Sequence, residues 1–266
     1  MKDFQFKKSL GQNFLNDKNV INKIVESADI DKDTLVVEIG PGGGAITELM
    51  VPKAGKALLY EADGRLEEHL KELLKNCDNY KIRIGDFLEA NLKSDLVKYT
   101  YSKIYVVANL PYYITTPIIM KFVEECVMPQ KFVIMVQKEV AYRLSASVGS
   151  KDYGSLTVFL NYYYDIRKLF DVSRNCFTPK PNVDSAIVEM KLKDNRLDVL
   201  DMNLFKTLVR DSFLYKRKTI RNNLKGYNLE VIEKILNKYG FDLSVRAENL
   251  KLEVFVEIAN ELAKNI

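Results

Sequence analysis

The sequence predicts an α/β chain, a mostly parallel seven-stranded sheet followed by a small all-helical part. Three observations predict it: short β-branched runs alternate with helix-patterned stretches, a glycine-rich turn follows the first run, and only helical patterns remain after Leu192. The runs are LVVEIG (35–40), ALLYE (57–61), KIRIGD (81–86), IYVVAN (104–109), FVIMVQ (132–137), LTVFLNYYY (156–164) and AIVEMKL (186–192). Continuous apolar stretches such as VVEI and YVV fit strands covered on both faces, hence a parallel sheet with crossover helices. Little helix fits between the last two runs, so an antiparallel edge is expected there. The polar stretch KDNRLDVLDMN reads as a connector. A boundary near 193–202 therefore assigns 1–195 to the α/β domain and 203–266 to a helical domain.

Composition narrows the function classes. The chain has 266 residues, 47% hydrophobic and 29% charged, enough apolar material for a core and too much for disorder. The N-terminal stretch is polar, and no segment approaches the roughly 18 apolar residues of a membrane span. A cytoplasmic protein is expected. The cysteines Cys77, Cys126 and Cys176 form no CxxC, which supports neither a disulfide framework nor a cysteine metal site. His69 is the single histidine, among acids and leucines at helical spacing, and reads as a helix-surface residue. The expected chemistry needs neither histidine nor metal.

In LVVEIGPGGGAITEL, Gly40, Gly42, Gly43 and Gly44 stand between a strand and a helix, where glycine lets the backbone turn tightly and approach a ligand. Glu61, at the end of the next strand, can accept from both hydroxyls of a ribose. Asp86, after the third strand, can accept from the amine of an adenine. The loop also satisfies GxGxxG/A, so a dinucleotide and S-adenosylmethionine compete. Pyrophosphate binding draws on loop N–H donors, and Pro41 removes one, which tilts the reading toward S-adenosylmethionine.

The segment VVANLPYYITTPI supplies the chemistry. An exocyclic adenine amine is a poor nucleophile because its lone pair is delocalised into the ring. Two acceptors that bind its N–H groups offset this: the side-chain oxygen of Asn109 and a backbone carbonyl of Leu110 or Pro111. Tyr112 can stack on the base. Positioning and electrostatics then carry the catalysis.

These residues resemble the ribosomal RNA adenine N6-dimethyltransferases of the KsgA type. The resemblance spans nearly the whole chain: SLGQNFL (9–15), EIGPGGGAIT (38–47), YEAD (60–63), GDFL (85–88), NLPYYI (109–114), FTPKPNVDSA (177–186), KRKTIRNNL (216–224) and RAENLKLEVFVEIAN (246–260). It implies a class I S-adenosylmethionine-dependent methyltransferase fold, Rossmann-like, with a small C-terminal helical domain. It implies that Asn13, Leu15, Gly40, Glu61, Asp86 and Asn109 line the cofactor site, that Asn109 and Pro111 contact the target amine, and that Tyr112 and Phe177 sandwich the adenine. The implied reaction places two methyl groups on N6 of each of two adjacent adenosines in a 3′-end hairpin loop of small-subunit (16S) ribosomal RNA, on an assembling 30S particle, by a monomer. Large-subunit ribosomal RNA methylation conferring antibiotic resistance is the nearer alternative, and KRKTIRNNL and RAENL speak against it. A non-catalytic assembly factor is the other. The triple glycine at 42–44 departs slightly from the family pattern.

The remaining motifs read on their own terms as well. Gln12 and Asn13 can form a flap over the cofactor, and Pro179 and Pro181 enforce an extended loop that can present Phe177. Residues 204–226 hold seven basic residues against Asp211 alone. On one continuous helix Lys206, Arg210, Arg217 and Arg221 would form a basic stripe at about 100° per residue, and a break midway would lose it; Lys218 belongs to the same basic segment. Phosphate contact is the expected use.

Overall fold

A computed structural model describes residues 12–264. Ser9, Leu10 and Gly11 of the SLGQNFL segment lie outside the described residues. The chain runs β1 (Phe14–Leu15), α1 (Lys18–Ala28), β2 (Thr34–Ile39), α2 (Thr47–Met50), β3 (Lys56–Glu61), α3 (Glu67–Leu73), β4 (Tyr80–Ile84), α4 (Leu92–Leu96) and β5 (Lys103–Asn109). It continues with α5 (Thr115–Glu124), β6 (Lys131–Gln137), α6 (Lys138–Leu144), α7 (Ser155–Tyr163), β7 (Tyr164–Val172), β8 (Phe177–Thr178) and β9 (Ser185–Leu192). Then come α8 (Met202–Ser212), α9 (Ile220–Asn223), α10 (Leu229–Lys238) and α11 (Leu252–Ala263). None of the described helices is long and apolar enough to cross a membrane.

Seven strands form one sheet in the order β4-β3-β2-β5-β6-β9-β7. β2 pairs in parallel with β3 and β5, β3 with β4, and β5 with β6. β9 runs antiparallel to β6, from Gln137 opposite Ser185 to Lys131 opposite Lys191, where the expected antiparallel edge begins. Every residue of β2 is buried, as a strand covered on both faces requires. The order reverses at β2, with β3 on one side and β5 on the other, so the loops after these strands open a crevice at a topological switch point.

One expectation about elements is corrected. LTVFLNYYY is not a strand: residues 155–163 are α7, and the seventh strand is the following YDIRKLFDV. Thr157, Val158, Phe159, Leu160, Tyr162 and Tyr163 of α7 are all buried. A helix apolar on nearly all sides has the same sequence pattern as a buried strand. Of the two forms open to the basic segment, the structure takes the broken one, in which the stripe is lost. α8 ends at Ser212 and α9 begins at Ile220, because Phe213 turns inward against Tyr153 and Phe255, with ring centroids 6.0 and 5.8 Å apart. A two-stranded pairing of β1 with β8, Phe14 opposite Thr178 and Leu15 opposite Phe177, has no counterpart in the sequence reading.

The chain packs as two compact units. The first comprises the described residues through Ala141 with Arg167–Leu192, and the second comprises Tyr142–Ile166 with the chain from Lys193 onward. This division differs from a single cut near 193–202 in that α7 belongs with the C-terminal helices. Its apolar surface explains this, since α7 packs on α8 and α11 within the second unit.

In the first unit a run of rings supports the turn that carries Asp86. Tyr60 meets Phe87 edge-on at 5.0 Å, Phe87 meets Phe122 at 5.6 Å, and Phe122 meets Phe132 at 5.3 Å. Phe122 is fully buried at the centre of this run. Phe122→Ala should cost about 3–5 kcal/mol of unfolding free energy, the loss of a buried aromatic plus a cavity that rigid neighbours cannot close. Chemical denaturation of variant and parent checks it, with an unchanged midpoint as the contrary result.

Candidate active site and nucleic-acid interface

Beyond the C-terminal ends of β2, β3 and β5 lies a cavity of ≈ 430 Å³, a size suited to a nucleoside-like ligand. Asn13, Leu15, Gly40, Gly42, Glu61, Asp86, Asn109, Pro111 and Tyr112 all line it. Phe177 does not: its side chain is 4% exposed in the core, and the β1–β8 pairing sets it opposite Leu15. In this conformation the proposed second face of an adenine sandwich is therefore absent.

The glycine loop is fixed by its own bonds. Gly42 (φ +56°) and Gly44 (φ +79°) occupy the left-handed region, and a Cβ at Gly42 would lie 3.0 Å from the Phe14 ring. The Gly40 amide donates to the Tyr60 carbonyl at 2.8 Å, the Gly42 amide to Glu61 Oε2 at 2.9 Å, and the Gly44 amide to the Pro41 carbonyl at 2.9 Å. Pro41 has no amide hydrogen. The loop thus commits three of its amides, at Gly40, Gly42 and Gly44, which leaves fewer for a pyrophosphate and favours a cofactor bound by close backbone approach. His69, half-buried on α3, lies with Nε2 3.2 Å from the Gly43 carbonyl, so the single histidine braces the loop from outside the cavity.

Acidic groups surround this loop. Glu61 is 5% exposed, its Oε1 accepts from the Asp63 amide at 2.8 Å, and burial pushes its carboxyl above the ordinary range. Asp63 accepts from Arg65 at 2.6 Å and from Gln12 Nε2 at 2.9 Å, and the Arg65 guanidinium holds its carboxyl well below the usual range. Asp86 is exposed, and its Oδ1 accepts from the Leu88 amide at 2.8 Å to open the turn after β4. Glu38 was missed by the sequence reading. It lines the cavity from β2, is 2% exposed, and accepts from Thr47 Oγ1 at 2.7 Å. Burial, reinforced by the neighbouring Glu61 charge, raises its carboxyl to about 8. An acid inside an otherwise apolar run just before the glycines was the available signal.

Asn109 ends β5, and its Nδ2 donates to the Asn13 carbonyl at 3.2 Å. That bond orients the amide with Oδ1 as its accepting side. Together with the Gln12–Asp63 bond it ties the N-terminal segment across the cavity, as expected of a flap. The Pro111 carbonyl already accepts from the Ile114 amide at 3.2 Å and from Thr115 Oγ1 at 3.2 Å. Its lone pairs are engaged, so Pro111 is corrected from acceptor to spacer. Tyr112 is held by a 2.6 Å bond between its hydroxyl and Ser185 Oγ, and burial raises its phenol above the ordinary value. Tyr113, also on the cavity wall, is 60% exposed.

The predicted RNA-contacting cations belong to the second unit. Lys206 on α8 lies over the Phe159 ring at 5.6 Å, and Arg210 pairs with Asp211 at 3.0 Å. Arg217 and Lys218 are exposed on the turn after α8, and Arg221 on α9 lies 4.0 Å from Glu233.

A family model described as "Ribosomal RNA adenine dimethylase" matches residues 3–264. The chain belongs to the ribosomal RNA adenine dimethylase family. It is 45% identical over 269 residues to the ribosomal RNA small subunit methyltransferase A of Geobacillus kaustophilus, covering 98% of this chain and 92% of that protein. It is 43% identical over 268 residues to the protein of that name from Streptococcus pneumoniae strain P1031, covering 97% and 92%. Among solved structures it resembles a dimethyladenosine transferase from Plasmodium falciparum, with TM-score 0.79, 26% identity and coverage of 94% and 98%. It is similar also to the 23S rRNA methyltransferase ErmE, with TM-score 0.76, 26% identity and coverage of 94% and 100%. As in this family of methyltransferases, the cofactor is S-adenosylmethionine, and the cavity fits it: the loop permits close approach, Glu61 offers a ribose acceptor, and the acids suit a ligand bearing positive charge.

Glu38 gives the apoprotein a signature in pH. Its carboxyl is raised from 4.5 unfolded to about 8 folded, so the folded state holds the extra proton between these values. The contribution is fully present below about 4.5 and is lost as pH rises through about 8. Glu38→Gln should flatten this fall, leaving the variant more thermostable than the parent near pH 8 and little different near pH 5. Parallel melting curves in both proteins across that range would refute the protonated state.

Proposed function

We propose that this chain dimethylates N6 of two adjacent adenosines in a 3′-end hairpin loop of small-subunit (16S) ribosomal RNA, using S-adenosylmethionine. The convergence of Asn109, Tyr112, the glycine loop and Glu61 on one cavity carries the reading, together with close similarity to small-subunit methyltransferases. The likeness to ErmE in fold does not separate the two ribosomal subunits, whereas the 45% identity over nearly the whole chain favours the small one. The intact acceptor and loop residues favour an enzyme over a non-catalytic assembly factor. The proposal extends to a monomer acting in the cytoplasm on an assembling 30S particle.

When bound, S-adenosylmethionine supplies an electrophilic methyl group. Asn13, Leu15, Gly40, Gly42, Glu61 and Asp86 hold the cofactor, Glu61 through the ribose hydroxyls and Asp86 through the adenine amine. Asn109 Oδ1 accepts one N–H of the target amine. The Leu110 carbonyl accepts the other, because the Leu110 amide is anchored on the Met135 carbonyl at 3.1 Å while the Pro111 carbonyl is engaged. These acceptors favour the positive charge that would develop on nitrogen as the N–C bond forms and the methyl–sulfur bond breaks, and the nitrogen would then lose its proton to water. Tyr112 stacks on the extruded base, and a base in a hairpin loop costs less to unstack than one in a duplex. Phe177 joins only if the β1–β8 pairing rearranges as RNA enters. Lys206, Arg210, Arg217, Lys218 and Arg221 bind phosphates from the second unit.

Asn109→Ala should lower the single-turnover rate by roughly 10²–10³ at saturating cofactor, as losing one preorganised partner of developing charge does at an oxyanion hole. RNA affinity should move little, since phosphate contacts dominate it. Methyl transfer from labelled cofactor to a small-subunit substrate measures the rate. A near-parental value would reduce the NLPY segment to a structural turn.

A further inference from the structure

The basic segment carries an apolar tip that phosphate binding leaves unexplained. Leu214 and Tyr215, consecutive in the turn between α8 and α9, are 61% and 60% exposed. The turn beneath them is rigidly built. Phe213 is anchored between Tyr153 and Phe255, and the Leu214 amide closes on the Asp211 carbonyl at 3.1 Å. Asn223 clamps the rest: its Oδ1 accepts from the Tyr215 amide at 3.1 Å, and its Nδ2 donates to the Ser212 and Tyr215 carbonyls at 2.7 and 3.3 Å. The Lys218 amide bonds the Tyr215 carbonyl at 2.8 Å, and the Lys216 ammonium is held by the Lys151 carbonyl. With most of the backbone ordering already met, the two side chains are presented in advance of any partner.

Charge decides what that partner is. Arg217, Lys218, Arg221 and Lys225 are exposed on and beside the same turn, with Asp211 the only acid in 204–226. A polyanion is drawn to this surface, and a polyanion that also offers flat apolar faces is a nucleic acid with unpaired bases. A duplex hides those faces and would leave the tip wet. We infer that Tyr215, backed by Leu214, stacks on an unpaired base of ribosomal RNA while Arg217 and Lys218 hold the flanking phosphates. The inference rests on the RNA-binding reading of the basic segment and adds to it a contact to a base remote in sequence from NLPYYI. Such a contact distinguishes single-stranded from paired RNA, which phosphate contacts alone do not.

The test measures affinity of the full chain for protein-free small-subunit ribosomal RNA over a range of salt concentrations. Tyr215→Ala should weaken binding about five- to a hundredfold, the loss of one stacked base, without changing the slope of log affinity against log salt. Tyr215→Phe should stay within about twofold of the parent, because the ring and not the hydroxyl makes the contact. The Arg217→Ala and Lys218→Ala double variant should reduce the slope. If Tyr215→Ala binds normally while the double variant does not, the tip proposal fails and the RNA-binding reading stands. If neither changes binding, both fail. Equal loss in Tyr215→Ala and Tyr215→Phe, or a loss seen with whole small subunits and not with bare RNA, overturns the stacking role, in the second case in favour of a protein contact. Tyr215 is exposed, so matching melting temperatures exclude unfolding as the cause.

Discussion

Glu61 closes β3 with a nearly dry carboxylate whose two oxygens are held by the amides of Gly42 and Asp63. Burying that group carries a desolvation cost, which pushes its carboxyl above the ordinary range, and the two amide bonds offset part of it. The clamp fixes three things at once. It holds the glycine loop against the end of the neighbouring strand, and it orders the turn in which Asp63 reaches Arg65 and Gln12. It also sets an acceptor at the floor of the cavity. The flap depends on it indirectly, because Gln12 is tied to the Asp63 that this turn positions.

Much of this was legible in the sequence because local chemistry and fold agree there. A β-branched run, then glycines, then an acid at the end of the next strand can be read from types and spacing alone. Asn109 was legible for the same reason, as a polar residue at the end of an apolar strand before a proline. Other features depend on partners distant in sequence. Phe177 is withdrawn by pairing with β1, and the Pro111 carbonyl is taken by Thr115. The helix at 155–163 is buried all round, so it carries no periodic polar face that would reveal its period. The break at 213–219 is likewise tertiary, since Phe213 finds ring partners in α11 and near residue 153.

The charge distribution follows a division of labour between the units. Seven basic residues in 204–226 outweigh a formal total of +4, so the rest of the chain is net acidic. Acids line the cavity of the first unit, and bases gather in 204–226 of the second, as the proposed cofactor and phosphate contacts would require. Each environment would be unfavourable for the other ligand. On the proposed function, a phosphate-rich chain would be repelled by the Glu61 and Asp86 carboxylates unless a base is extruded into the cavity, and a cation would gain nothing on the basic turn.

On the proposed function, the attack on the methyl group itself calls for no general base. The nucleophile is a neutral amine, and the obstacle is electron delocalisation, not a proton. Acceptors at fixed positions address it directly, and an asparagine oxygen does so without adding a negative charge that would draw the amide toward the cofactor. An aspartate at position 109 would supply a stronger acceptor, yet it could not donate to the Asn13 carbonyl as Nδ2 does. On the proposed function the amide has two jobs, one end bonded to the Asn13 carbonyl and the other facing the substrate. In that reading substrate entry and the position of Asn13 are coupled through a single side chain, which suits asparagine at this point in the chain.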